Sequence, residues 1–350
     1  MGSRRRKWRY KNILLEQRMK TAIVTDTSCR QMNGVSTSVK ILFEELKEKG
    51  KRAIVIDAEK INGIDLSRWS PGLHLANPIK AQRYCYELLD KFKPDHVHVA
   101  TEGPMGCSGL KWASYNGVTS SACSHTDWEK ILSKMVPLIG GLIGRWFTSR
   151  TTKADIRFFR NSSAAKEWKL KTGMDGHVLK GGVDRCFKYR NGIRKNSILW
   201  AGRISKDKNL EDIRMVAEHG FRVVIAGDGP MVGSDILAHK NIEYLGRLSR
   251  WALSDSMNRY RGFLFTSKTD TLGLVCLESA CCGMPTVAYE NDATSDSVIN
   301  GKTGLKGENL IELIEKLEQI DYADCANFAS KEWGTGAMAK SFLNGIDNKN

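Results

Sequence analysis

Short apolar runs rich in β-branched and aromatic residues recur at 21–25, 53–56, 96–100, 156–159, 198–201, 223–226, 263–266 and 286–289. Runs of this length, bounded by polar and glycine-bearing segments, predict buried strands. Between several of them the apolar spacing becomes helical. Val39, Leu42, Phe43 and Leu46 fall at i, i+3, i+4 and i+7, and Gly50 stops the pattern. Strands alternating with helices predict parallel sheets with crossover helices. Two such blocks meet near Gly181 and Gly182, a pair expected to form a flexible joint. The expected fold class is therefore α/β, with two Rossmann-like, doubly wound parallel-sheet domains facing a cleft. In such sheets ligands bind beyond the carboxyl ends of the strands, so the chemistry belongs in the loops that follow them.

Composition narrows this picture. A chain of 350 residues is long for one core and fits two domains, and 41% hydrophobic residues suits a packed globular protein. The nine cysteines show no CxxC or Cys/His spacing, which reads as buried thiols in a reducing, cytoplasmic setting. No apolar run approaches the roughly 20 residues of a membrane span, and the basic start is followed by no signal-peptide pattern. Charge is less ordinary. The formal net charge is +15, and residues 1–20 carry eight basic side chains against Glu16. Met19 onward reads as the first strand, so residues 1–19 form a basic extension: either a solvated arm or a contact for a polyanion, an anionic lipid surface or nucleic acid. Trp8 and Tyr10 suit either partner. No obligatory protein partner is indicated.

The chemistry concentrates in SKTDTLGLVCLESACCGMPTVA, residues 267–288. Asp270 and Glu278 bracket Leu272, Gly273 and Leu274. A helix starting here would present the amides of Gly273, Leu274 and Val275, which can hold a diphosphate without a metal. Glu278 can accept two hydrogen bonds from one vicinal diol, the geometry that ribose offers. Arg203 and Lys208 follow the first strand of the second block and can neutralise two phosphates. A solvated basic loop and a surface helix glutamate are the plain alternatives.

This segment resembles the signature of glycosyltransferase family 4, enzymes of the GT-B fold, in which two acidic residues separated by seven others handle the donor sugar and the nucleotide ribose. Other motifs follow in the family's order. DTSCRQMNGVSTSV (26–39) is similar to its glycine-bearing first loop, HVHVATEGPMG (96–106) to its Glu-Gly-Pro segment, and SHTD (124–127) to the His-Thr pair of mannosyltransferase-like members. GGVDRCF (181–187), AGRISKDKN (201–209) and AGDGP (226–230) complete the series. The nearest subgroup is that of α-mannosyl-, sulfoquinovosyl- and glucosyltransferases.

The resemblance implies a retaining, metal-independent hexosyltransferase that takes a UDP- or GDP-sugar and needs no cofactor. It assigns Arg203, Lys208, Asp270 and His125 to catalysis. Gly34, Gly227, Gly273, Leu274, Val275 and Glu278 fall to donor binding, and Glu102 and Asp127 to the acceptor side. The family usually has Glu where Asp270 stands, a side chain one methylene longer. His96 and His98 alternate along a strand and read as packing residues, and TDT at 25–27 reads as a strand end, so no metal is expected. Implied domains are 20–180 for the acceptor, 181–328 for the donor, and 329–350 as a helix crossing back to the first.

The acceptor is less defined. MVPLIGGLIGRWF (135–147), flanked by Lys130, Lys134, Arg145, Arg150 and Lys153, is too short to span a bilayer. It is either a buried helix or an acceptor-cleft loop, or else an interfacial surface. Three roles follow: a peripheral membrane enzyme acting on a glycolipid or glycan, a transferase acting on hydroxymethylated DNA bases, and a non-catalytic sugar-nucleotide or polyanion-binding protein. The presence of Arg203, Lys208 and Glu278 together argues against the third.

Overall fold

The first sheet holds six parallel strands in the order β2-β1-β5-β6-β7-β8. They are β1 (Lys20–Val24), β2 (Arg52–Ile56), β5 (His96–Val99), β6 (Thr119–Ser124), β7 (Ile156–Phe159) and β8 (His177–Val178). A small antiparallel pair, β3 (Gly63–Asp65) and β4 (His74–Ala76), lies between β2 and β5 in sequence. The second sheet is parallel too, ordered β11-β10-β9-β12-β13-β14. It comprises β9 (Lys195–Arg203), β10 (Val223–Asp228), β11 (Ile242–Tyr244), β12 (Tyr260–Phe265), β13 (Thr286–Ala288) and β14 (Gly304–Lys306). These are two Rossmann-like parallel sheets. The computed structural model describes residues 19–28, 33–65, 74–125, 133, 140–150, 152–268, 270 and 272–347.

The chain divides into two units. One contains Met1–Arg160, Ala165–Leu179 and Met338–Asn350, and the other Asn161–Ala164 and Lys180–Ala337. In the first, helix α1 (Gly34–Glu48) starts where the Asn33 side chain accepts from Ser36 N at 2.9 Å, and it ends before Gly50, whose φ is +73°. Its buried Val39, Leu42 and Leu46 pack with Ile23 of β1. Helix α2 (Pro78–Phe92) opens on a proline whose lost N–H is not needed there, with Asn77 capping Ile79 and Lys80 at 3.1 Å. Helices α3 (Pro104–Tyr115), α4 (Gly140–Ser149) and α5 (Ser162–Thr172) follow.

The second unit supplies α6 (Leu210–Glu218), α7 (Arg250–Met257), α8 (Leu274–Cys281), α9 (Leu310–Glu315) and α10 (Tyr322–Trp333). The amphipathic pattern over 330–346 does not form one continuous helix. It breaks at Gly334, and α11 (Ala337–Asp347) takes up the remainder. Phe342 of α11 stacks on Phe158 of β7 with ring centroids 5.5 Å apart. Gly345 lies so close to the same ring that a Cβ there would stand 2.4 Å from it.

Gly181 is not a free joint. It is buried, and a Cβ on it would meet Leu277 at 2.2 Å. Glycine here leaves room for the Leu277 side chain of α8 against this stretch of backbone.

Candidate active site

Three of the sequence-identified groups converge at the carboxyl end of the second sheet. Arg203 is the last residue of β9, and Lys208 closes the short 3-10 turn Lys206–Lys208. Thr266, just beyond β12, fixes that turn. Its hydroxyl donates to the Lys208 carbonyl at 2.5 Å and accepts from Trp200 Nε1 at 3.1 Å, while Asn209 Nδ2 donates to the Thr266 carbonyl at 2.9 Å. Asn209 adopts φ of +48°, a left-handed conformation that asparagine tolerates better than most residues. So held, Lys208 Nζ reaches Asp270 Oδ1 at 2.5 Å. Arg203 Nη2 lies 3.5 Å from Asp207 Oδ1, and Arg203 Nε donates to Ser205 Oγ at 3.2 Å.

Gly273 precedes α8 with φ of +62° and ψ of +54°. A Cβ at this position would approach Cys276 Sγ, Phe265 and Ser297 Oγ at 3.3 Å each, so both conformation and space favour glycine. Leu274 and Val275 head the helix, where the first amides have no partner within it. Asp270, four residues before the helix, brings Lys208 to this segment through their ion pair, and the positive partial charge of the terminus suits an anion.

Glu278 sits further along α8, 7% exposed. Arg250 of α7 bridges it to Asp184, with Nη2 3.0 Å from Glu278 Oε1 and Nε 3.2 Å from Asp184 Oδ2. The guanidinium lies 4.9 Å from the Phe187 ring centroid. Burial pushes the Glu278 carboxyl up to about 7, against the pull of Arg250. Burial also acts to raise Asp184, but the Cys186 amide and Arg250 outweigh it and hold that carboxyl below its usual value. Arg250 had no signal in the sequence, because its partners lie 66 and 28 residues away.

Gly227 has a packing reason of its own. A Cβ there would stand 1.9 Å from the Gly202 carbonyl of the neighbouring strand, and its N–H donates to Gly246 O at 2.9 Å.

In the first unit, Gly34 opens α1, and Glu102 and His125 follow β5 and β6, neighbours in the sheet. Glu102 is 4% exposed, and its charge acts on the buried Arg157. Arg157 donates from Nη2 to Ser124 Oγ at 2.8 Å and lies 5.1 Å from the Trp168 ring. Burial, then the charges of Arg160 and His98, hold the His125 imidazole well below its ordinary value, so it is neutral near pH 7. Asp127 lies outside the described residues.

Asp26, read as a plain strand end, does specific work. Its carboxylate accepts from Thr101 Oγ1 at 2.7 Å, Met105 N at 2.8 Å and Gly106 N at 3.4 Å, filling the amino terminus of α3. Gly103 has to be glycine, since a Cβ would stand 2.4 Å from the Asp26 carboxyl carbon. His96 Nε2 and His98 Nδ1 both hydrogen-bond Ser121 Oγ at 2.8 Å inside the core, which accords with their reading as packing residues.

Comparison with known proteins places the chain in a family. The profile "Glycosyltransferase Family 4" matches residues 32–185, and "Glycosyl transferases group 1" matches residues 195–320. The chain belongs to glycosyltransferase family 4. It is 23% identical over 329 residues to a GDP-mannose-dependent alpha-mannosyltransferase of Mycobacterium tuberculosis (strain CDC 1551 / Oshkosh), covering 82% of this chain and 83% of that protein. It is also 23% identical to the alpha-monoglucosyldiacylglycerol synthase of Acholeplasma laidlawii, covering 95% and 98%. A sucrose-phosphate synthase from Thermosynechococcus elongatus shares the fold, with a TM-score of 0.75 at 13% identity over 95% of this chain and 99% of that one. The protein is a glycosyltransferase enzyme of GT-B type. Among the described residues no helix is long and apolar enough to cross a membrane.

Proposed function

We propose that this glycosyltransferase moves a hexose, with retention and without a metal ion, from a nucleoside diphosphate sugar to a hydroxyl carried by a membrane lipid. The observation that carries the donor half is the contact of Lys208 with Asp270 beside the α8 terminus. Arg203 and Lys208 receive the diphosphate together with the amides of Leu274 and Val275. Glu278 accepts from the ribose diol, and Asp270 holds sugar hydroxyls while orienting Lys208. His125 and the backbone at Gly34 are assigned to the sugar and the diphosphate by the family resemblance. In the reaction, the bond from the anomeric carbon to the phosphate oxygen breaks. The acceptor oxygen bonds to that carbon from the same face, and its proton passes to the departing phosphate. Charge stabilisation on the leaving group contributes about 3 kcal/mol for each well-placed donor.

The lipid half is supported by α4. Leu142, Ile143 and Trp146 are exposed by 63%, 37% and 56%, and Arg150 lies 4.6 Å from the Trp146 ring centroid. Exposed apolar groups on this helix, with a cation just past its end, suit the interface of an anionic bilayer. The relative named for monoglucosyldiacylglycerol synthesis supports a lipid acceptor. The basic extension, residues 1–19, which falls almost wholly outside the described residues, is assigned to the same surface.

The test is release of nucleoside diphosphate from UDP- and GDP-hexoses in EDTA. It is run with vesicles containing diacylglycerol that are either anionic or neutral. Turnover that needs anionic vesicles and falls in Lys208→Ala and Trp146→Ser supports the reading. Turnover only with a divalent cation, or only with hydroxymethylated DNA, overturns it.

A further inference from the structure

The amino-terminal edge of the second sheet, opposite the transfer residues, carries a cavity of about 280 Å³. It is lined by Asn196 and Ser197 at the start of β9, His219 and Phe221 between α6 and β10, Arg222, and Arg261 at the start of β12. Asn196 and Arg203 lie near opposite ends of the same strand, roughly 23 Å apart at about 3.3 Å per residue. The cavity is therefore distinct from the donor site.

Its chemistry is cationic and incompletely satisfied. The Arg261 side chain is only 14% exposed, and its buried Nε has no hydrogen-bond partner. Its carboxylate neighbour is Glu318, 3.5 Å away, on a side chain 83% exposed. Arg222 reaches Glu243 at 3.6 Å, between two exposed groups. Ion pairs this long to exposed glutamates contribute little, whereas a largely buried guanidinium with an unmade hydrogen bond is costly. Phe221 supplies an apolar wall, with the Arg261 guanidinium 5.9 Å from its ring centroid. His219 lines the rim, its Nδ1–H donating to the Met215 carbonyl at 2.8 Å.

We infer that this cavity is a second ligand site, one that binds a phosphoryl oxyanion between Arg222 and Arg261, with Asn196 and Ser197 completing its hydrogen bonds. A planar guanidinium matches two phosphate oxygens at once, whereas the exposed Glu318 approaches the largely buried Arg261 only at 3.5 Å. The volume takes a phosphate with a small substituent. The phosphoryl group comes either from a free phosphate ester or from a lipid headgroup.

The full chain carrying Lys208→Ala, which weakens the donor site, is titrated calorimetrically with orthophosphate and with pyrophosphate. In parallel, its sedimentation is measured with vesicles of phosphatidic acid in phosphatidylcholine against phosphatidylcholine alone. A saturable 1:1 heat that weakens at least tenfold on adding Arg222→Gln supports a free-phosphate site. Phosphatidic-acid binding that weakens tenfold in the same variant assigns the site to a headgroup. Arg222 is exposed, so its replacement does not threaten folding as Arg261→Gln does. Binding unchanged by Arg222→Gln in both arms, or no binding in either, overturns the site.

Discussion

Lys208 Nζ and Asp270 Oδ1 stand 2.5 Å apart although 62 residues separate them, because Thr266 clamps the turn that carries the lysine. Each charge keeps the other in place beside the α8 terminus. With the lysine removed, the leaving diphosphate loses a preorganised cation and Asp270 loses its partner. Lys208→Ala should lower kcat by about 10²- to 10³-fold. Lys208→Arg should recover only part of this, since the clamp is shaped for a point charge. Steady-state release of nucleoside diphosphate checks both.

Glu278 predicts a pH dependence with two faces. Its folded value, raised by burial to about 7, lies above the ordinary 4.5. The folded state therefore binds the extra proton between those values, and stability is lost as pH rises from about 4.5 through about 7, on the order of 3 kcal/mol. Donor binding runs the other way, because only the ionised carboxylate accepts both diol hydrogens. KM for the sugar nucleotide should fall as pH rises through about 7. In Glu278→Gln it should be high and flat across that range, and a pH series of KM values decides the matter.

Arg250 is a positioning residue for that carboxylate. Arg250→Met removes the bridge to Asp184 and leaves Glu278 buried without its cation. The midpoint of the KM profile should then move above 7, while Arg250→Lys should return it part of the way. A merely structural role would lower the melting temperature and leave the midpoint where it was.

His98 acts oppositely on stability. Burial, followed by the charges of His96 and Arg160, lowers its imidazole from 6.5 to about 3. The folded state excludes a proton that the unfolded chain binds, so stability is lost as pH falls below about 6.5, by up to about 1.4 kcal/mol per unit. His98→Asn lacks this dependence. Its stability deficit relative to the parent should shrink between pH 7.5 and pH 5 in urea titrations.

Gly103→Ala tests the Asp26 cap. The added methyl would fall 2.4 Å from the carboxyl carbon and force α3 away from β1. A loss of about 2 kcal/mol in urea unfolding is expected, with donor binding by the second unit unaffected.

Most of the architecture was legible in sequence because the signals are local. Strands such as β1 and β9 are buried on both faces, so they read as continuous apolar runs, and α1 shows its buried stripe directly. The edge strands β8, β11 and β14 are only two or three residues long. Too short to carry a period, they went unread. The break at Gly334 was also hidden, since the apolar positions on either side continue one helical pattern.

Of the site, the sequence determined which groups exist at strand ends: Arg203, Lys208, Asp270, Gly273 and Glu278 all fall in one sheet's carboxyl-edge loops or in the helix that follows, because loop position and residue type are properties of the chain. Tertiary structure decided what each of them touches. Hydrogen bonds between residues tens of positions apart leave no period to read. The Arg250 bridge, the Thr266 clamp, the Asp26 cap and the largely buried Arg261 therefore emerged only when folding brought distant segments within about 3 Å and took them out of water.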